Sequence, residues 1–207
     1  LYYQGMGMVL RAARSIGLVT PEDPYAHQWA LLRLANVALV APIPLLAWAA
    51  SKKLGTNRQM ASAAACVPLL VPQFAHIGSS INNDNLLVLL GGVLAVLLAM
   101  VCSGDRRPRT AIGIGVVTGL ALLTKAFAIA FLPWIVIAYG VALVRRSTAP
   151  RPTAWTVLTP MAIALAGALA IGAWWPARNV VRHGSPFPSS LDSAFENAPE
   201  GFTPDLV

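Results

Sequence analysis

A small set of polar side chains borders long apolar runs and has the residue types that bind phosphate. The set is Asn82, Asn83, Asp84, Lys125, Arg178 and Arg182. Ammonium and guanidinium groups pair with phosphate oxygens, and Arg178 and Arg182 would share one helix face because they are four residues apart. A carboxylate beside them can hold a cation or assist proton transfer. The pattern predicts an anion-binding site with Asp84 beside the cations and the other five residues as substrate contacts.

Each of these residues also has an ordinary structural interpretation. Asn and Asp are favoured at helix starts, and an acid in the first turn suits the helix dipole. A lone Lys at a membrane surface can extend its ammonium to water, and Arg178 and Arg182 can anchor to lipid headgroups. Both interpretations stay open, because a cap or an anchor can also face a cavity.

Other kinds of site lack the residue patterns that they need. His76 and His183 have no further ligands at metal-binding spacing, and no base stands at motif spacing from the serines. Cys66 and Cys102 lie inside apolar runs without a CxxC motif. We therefore expect no metal site, no cofactor and no hydrolase triad.

The composition indicates a membrane protein. Of the 207 residues, 57% are apolar and only 11% are charged, whereas soluble domains carry about 25% charged residues. Six stretches contain no Asp, Glu, Lys or Arg, and several approach or exceed the roughly 20 residues of a membrane-spanning helix. This excludes an ordinary soluble protein, a disordered chain and a collagen-like chain. The lack of period-two alternation argues against an outer-membrane barrel.

The apolar runs predict an all-α, polytopic transmembrane bundle with about six spans. The predicted spans are Leu31–Ala50, Met60–Ile77, Leu86–Cys102, Ala111–Thr124, Ala126–Val144 and Ala154–Trp175. Prolines should kink the first two spans. A single helix from residue 110 to 144 would be roughly 52 Å long, longer than the hydrocarbon core of about 30 Å. The chain must therefore turn at Lys125.

Basic residues predict the orientation of the bundle. Nine of them fall in three alternate loops: Lys52, Lys53, Arg58, Arg106, Arg107, Arg109, Arg145, Arg146 and Arg151. The positive-inside rule makes that side cytoplasmic, and the same loop placement explains the net charge of +7 without a nucleic-acid partner. Residues 1–28 are then an outer interfacial helix and loop, 29–176 the bundle, and 177–207 an outer loop region. We expect an internal fragment of a longer protein, since the start lacks a signal peptide and the end lies in a polar loop.

Several short motifs also carry a family resemblance. They are Leu1-Tyr2-Tyr3, Pro72-Gln73-Phe74, Ser80-Ile81-Asn82-Asn83-Asp84, Gly119-Leu120-Ala121-Leu122-Leu123-Thr124-Lys125, Trp175, Arg178-Asn179 and Gly184-Ser185-Pro186. In this order they resemble bacterial polytopic membrane proteins of the GT-C glycosyltransferase class, close to the protein mannosyltransferase-like and lipid A aminoarabinose transferase-like enzymes. The chain departs from the pattern at His183-Gly184-Ser185-Pro186, where Tyr-Gly-Asp-Pro is common.

The resemblance implies transfer of a sugar from a polyprenyl-phosphate donor to an acceptor on the outer face of the bacterial plasma membrane. The expected partners are that lipid donor and the surrounding membrane lipids. In such enzymes the catalytic acid lies in the first outer loop, which would precede Leu1, so no general base is assigned here. The resemblance makes Asp84 a candidate helper, and Lys125 and Arg178 candidate phosphate contacts.

Two other functions have a similar composition. A transporter or flippase would place ionisable residues or broken helices near the midplane of the membrane. Apart from Arg33, the ionisable residues here cluster at the predicted surfaces, which favours the glycosyltransferase. A membrane scaffold that kept the fold without activity is the third interpretation.

Overall fold

The protein is helical throughout the part of the chain that the structure describes, a computed structural model of residues 1–144 and 153–186. The helices are α1 (Tyr2–Ser15), α2 (Tyr25–Val40), α3 (Ile43–Lys53), α4 (Arg58–Cys66), α5 (Pro72–Gly78), α6 (Asp84–Cys102), α7 (Pro108–Thr124), α8 (Phe131–Val144), α9 (Ala154–Gly172) and α10 (Trp174–His183). Short 3₁₀ turns at Val67–Leu70 and Ala126–Ala130 precede α5 and α8. The prediction of an all-α bundle is confirmed.

The predicted count of six spans is wrong. Within the described residues, four helices are long and apolar enough to cross a membrane: Tyr25–Lys53, Asp84–Cys102, Ala126–Val144 and Ala154–Gly172. A bent pair, Arg58–Leu70 with Pro72–Gly78, makes five if it counts as one span. The remaining run forms α7, whose 17 residues are apolar but shorter than a full span. The sequence pattern overcounts because apolar runs do not reveal where a helix stops.

Prolines break the second predicted span, as the sequence indicates. Proline lacks a backbone N–H and clashes with the preceding turn. Pro68 lies in the 3₁₀ turn after α4, Pro72 begins α5, and the two halves meet at 67°. Pro42 similarly marks the boundary between α2 and α3, although those two helices form one continuous span by length. The result is a concave region between α2–α3 and α4–α5.

Lys125 ends α7 and separates it from α8. Its backbone is extended, with φ −156° and ψ 132°, so the helical hydrogen bonds cannot continue through it. The 3₁₀ turn and α8 then lead the chain back across the bundle. The turn predicted at Lys125 is therefore present.

The core centres on α6, α7, α8 and α9. Leu94, Ile114, Ile135, Tyr139 and Val157 are among its buried side chains. The most extensive packing is between α7 and α9, where glycines bring the two backbones into contact. Large apolar side chains on the other helix faces stay exposed, as a lipid-facing surface requires.

The two ends of α6 mark the two ends of the bundle. We call them the Asp84 end, where α6 begins, and the Asp105 end, where the loop after α6 leads to α7. Helix α1 packs against α2 near the Asp84 end and is joined to it through Tyr2. The candidate site lies at that end.

Candidate functional site

The start of α6 is fixed by its own asparagine. The Asn82 side-chain oxygen accepts the backbone N–H of Asp84 at 3.0 Å, and the Asn82 amide donates to the Asp84 carboxylate at 3.2 Å. Asn83 occupies the cap position but makes no side-chain cap bond. Asn82 therefore forms an Asx turn just before the helix, and the N-cap position itself has no side-chain cap. The Asx turn also leaves the Asp84 carboxylate held in a defined position.

An ion pair joins the start of α6 to the end of α7. The Lys125 ammonium lies 2.5 Å from Asp84 Oδ1, and the two side chains are 41% and 28% exposed. Nearby, the Asn83 amide donates to the Thr124 carbonyl at 3.5 Å, one of the acceptors that the end of α7 leaves free. The start of α6 and the end of α7 are thus linked by charge and by hydrogen bonding. Both charges remain accessible to a ligand.

Beneath this pair lies a buried amide cluster that the sequence did not predict, formed by Tyr2, Asn36 and Asn85. Asn36 and Asn85 are completely buried. The Asn36 side-chain oxygen accepts both the Tyr2 hydroxyl and the Asn85 amide, each at 2.8 Å. The Asn36 amide donates to the Leu32 carbonyl and the Asn85 amide also to the Ser80 carbonyl, again at 2.8 Å. The cluster connects α1, α2 and α6.

One acceptor in the amide cluster has no partner. The Asn85 Oδ1 atom is buried and makes no hydrogen bond in the structure. Burial raises the pKa of the Tyr2 hydroxyl above its ordinary value, although the hydrogen bond to Asn36 opposes this, so the phenol stays a neutral donor. The sequence held one signal for the cluster, since Asn36 is the only amide within the predicted span Leu31–Ala50.

Among the described residues, Arg178 and Arg182 of α10 are not joined to the ion pair. Arg178 lies over the Trp174 ring at 5.9 Å, and Arg182 is exposed in the last turn of α10. Within residues 1–144 and 153–186, no hydrogen bond or ion pair links either arginine to Asp84 or Lys125. The predicted gathering of all six site residues is therefore seen only for Asn82, Asn83, Asp84 and Lys125.

An apolar cavity nevertheless lies between the Lys125 turn and the start of α10. It has a volume of about 110 Å³ and is lined by Leu122 and Ala126 on one side and by Trp175 and Pro176 on the other. The larger groove of about 310 Å³ lies where α2–α3 and the bent α4–α5 diverge, and Val40, Pro44 and Phe74 are among its residues. Both are lined almost entirely by apolar side chains, so they suit hydrocarbon rather than a polar ligand.

A family comparison identifies the bundle. A family model described as dolichyl-phosphate-mannose-protein mannosyltransferase matches residues 26–174, more than two thirds of the chain. The chain belongs to this family. The mannosyltransferase family consists of membrane glycosyltransferases of the GT-C type, which agrees with the resemblance found in the motifs. No curated protein and no solved structure matches the chain significantly.

The family match and the apolar helices together make this a multi-pass membrane protein of the glycosyltransferase class. The matched range includes the α6 start, the Lys125 turn and Asn36, and it ends at Trp174, before Arg178 and Arg182. The mannosyltransferase family match therefore covers the four site residues that the structure brings together. It does not cover the two arginines that lie apart.

Proposed function

We propose that the Asp84 end of the bundle binds a polyprenyl-phosphate sugar donor and supports transfer of that sugar to an acceptor on the extracytoplasmic face of a bacterial plasma membrane. The observation that carries the proposal is the partly exposed ion pair of Lys125 and Asp84 at a helix end, beside an apolar cavity. A lipid phosphate needs a cation at headgroup level with an apolar surface below it, and this end supplies both.

In the reaction, an acceptor oxygen forms a bond to the anomeric carbon while the bond from that carbon to the donor phosphate breaks. The acceptor proton passes to a general base, which we assign to none of the described residues. The polyprenyl phosphate leaves with its negative charge, and Lys125 stabilises that charge. Asp84 holds the ammonium at the start of α6, so it acts as a positioning residue. Asn82 keeps the Asp84 carboxylate in place.

Arg178 and Arg182 supply a second cationic surface in this proposal. Both are exposed on α10, and Trp175 and Pro176 of that helix line the cavity next to the Lys125 turn. The part of a polyprenyl chain next to its phosphate could enter that cavity of about 110 Å³, and the phosphate would then lie between Lys125 and the α10 arginines. Residues 1–28 and 177–186 then lie on the outer side; the predicted outer region also includes residues 187–207, which are outside the described part of the chain.

The test is a Lys125→Ala variant of the full-length protein in liposomes that contain polyprenyl-phosphate sugar donor. We expect sugar transfer to fall roughly a hundredfold, as for removal of one preorganised charge-stabilising donor. Lys125→Arg should recover part of the rate by keeping the charge. The control is Arg11→Ala, an exposed cation on α1 whose side chain donates to the Gly7 carbonyl of the same helix.

The result is interpreted only for variants that retain the parental melting temperature. A folded Lys125→Ala variant that transfers sugar at the parental rate would show that Lys125 is an interfacial anchor and would overturn the phosphate role. Equal losses in Lys125→Ala and Arg11→Ala would attribute the effect to general surface charge. Both results contradict the proposal.

The orientation is tested separately by cysteine labelling in a variant without Cys66 and Cys102. Cysteines placed at Ser80 and Ser185 should react with an impermeant thiol reagent in intact cells. Cysteines at Lys53 and Arg107 should react only after lysis. The reverse pattern would place the ion pair on the cytoplasmic side and would exclude an extracytoplasmic acceptor.

A further inference from the structure

The opposite end of the bundle contains an open pocket of about 620 Å³ that sugar transfer does not use. We call it the Asp105 pocket. It lies between the end of α3 and the loop that joins α6 to α7. Its lining residues are Lys53, Met100, Ser103, Gly104, Asp105, Arg106 and Arg107. Most of them carry a charge or a polar group, in contrast to the apolar cavities near α2 and α10.

Hydrogen bonds fix the walls of the Asp105 pocket. The Asp105 carboxylate accepts the Arg107 backbone N–H at 2.9 Å and the Thr110 hydroxyl at 3.1 Å. The Ser103 hydroxyl lies against the Lys53 carbonyl, so the loop contacts the end of α3. Gly104 takes a positive φ of 102°, which lets the chain turn sharply here. The pocket is therefore built by the fold and does not depend on the position of one long side chain.

The charge on the Asp105 pocket is unbalanced. Three cationic side chains, Lys53, Arg106 and Arg107, line it against one carboxylate. In the described ranges 1–144 and 153–186, none of the three forms an ion pair, and Asp105 already accepts two hydrogen bonds. The Nε atom of Arg106 is buried and has no hydrogen-bond partner. A buried guanidinium N–H without an acceptor is destabilising, and together with the excess of cations it favours binding of an anion in this pocket.

We propose that the Asp105 pocket binds the phosphate group of an anionic phospholipid headgroup. Guanidinium groups match the geometry of phosphate oxygens, and basic pockets between helices at a membrane surface recognise anionic headgroups. A lipid is favoured over a soluble phosphate because the pocket opens at the end of apolar helices, and Met100 of α6 forms part of its wall. The bound headgroup would hold the end of α3 and the α6–α7 loop together.

The proposal is tested by measuring lipid binding to the full-length protein in detergent by native mass spectrometry. The protein is titrated with dioleoyl phosphatidylglycerol and, separately, with dioleoyl phosphatidylcholine as the zwitterionic reference. The test variant is Arg106→Gln/Arg107→Gln. The control is Arg58→Gln/Arg109→Gln, which removes the same charge from exposed residues near the same end that do not line the pocket. We expect the test variant to bind phosphatidylglycerol about thirtyfold more weakly, with the control close to parental affinity.

Each outcome decides for or against the site. Selective loss in the test variant supports it. Equal loss in both double variants would reduce the effect to general attraction of a basic surface and would overturn it. Inorganic phosphate that competes with the lipid at equal affinity would mark a free phosphate site and overturn the lipid source. If Arg106→Gln/Arg107→Gln does not fold, the single variants Arg107→Gln and Arg109→Gln, both at exposed residues, give the same comparison of test and control. This test does not depend on sugar transfer.

Discussion

Two helix interfaces in this bundle are held together in different ways. Where α7 meets α9, glycines remove the side chains and the backbones touch: an added Cβ at Gly115 would lie 2.9 Å from the Ala164 carbonyl oxygen. Where α2 meets α6, the buried Asn85 amide donates a hydrogen bond to the Asn36 side-chain oxygen. In a membrane, water does not drive apolar helices together, so close packing and interhelical hydrogen bonds both count. The glycine contacts set the distance between α7 and α9, whereas the amide hydrogen bond sets how α2 and α6 are aligned along their length.

The largest predicted effect is at the glycine interface. In Gly115→Ala, the new methyl group meets backbone atoms of Ala164 and Gly167, which cannot rotate away. We expect a loss of about 1–3 kcal/mol in the free energy of unfolding, the usual result of overpacking. Gly140→Ala is the matched control because nothing lies within 4 Å of its added Cβ. Thermal or SDS-driven unfolding of the purified protein measures both. Equal stability of the two variants would show that the α7–α9 contact has room for a methyl group at residue 115.

The amide interface should be weaker and pairwise coupled. Asn36→Ala leaves the Tyr2 hydroxyl without its acceptor, and Asn85→Ala removes the partner of Asn36 on α6. Interhelical hydrogen bonds in membranes contribute about 0.6 kcal/mol on average and at most about 1.7 kcal/mol. A double-mutant cycle of these two variants should give a coupling energy in that range. Strict additivity would mean that the two amides stabilise the bundle independently.

Sequence patterns predicted the turn at Lys125 but neither of these two interfaces. Apolar runs located the turn because one charge interrupts 35 residues. They did not predict that Asn36 meets Tyr2 and Asn85, because partners 34 and 49 residues away depend on how the helices fold together. Arg178 was grouped with Lys125 because the sequence does not show how the helices pack against one another. The prediction of six spans counted α7 as a full span, but its helical hydrogen bonds end after 17 residues.

The third prediction concerns the ion pair, whose contribution to folding should be smaller. Lys125 and Asp84 are 41% and 28% exposed, and pairs that reach solvent contribute about 0–1 kcal/mol. Lys125→Met should therefore leave the melting temperature nearly unchanged, in contrast to Gly115→Ala. A loss in Lys125→Met as large as that in Gly115→Ala would show that this pair is a third structural interface.

The smallest effect is a pH dependence confined to the amide interface. Burial raises the pKa of Tyr2 above its ordinary value of 10.0, so its stabilisation is complete below that pH. As the pH rises above about 10, the phenol ionises in the unfolded chain before it does so in the folded protein, and the stabilisation is lost towards the folded pKa. The free energies of unfolding of the parent and of Tyr2→Phe should approach each other as the pH rises over this alkaline range. Parallel curves for the two proteins would contradict the assignment.

The short length of α7 has a consequence for the membrane around it. Its 17 residues rise only about 26 Å, less than the roughly 30 Å hydrocarbon core of a typical bilayer. A bilayer thins locally beside a helix that is too short, and this brings headgroups deeper at the end that carries Lys125. Bilayer thickness thereby sets the depth at which that end meets lipid phosphates. A change in the acyl-chain length of the host membrane would therefore shift the depth of the lipid phosphates at the Asp84 end without any change of sequence.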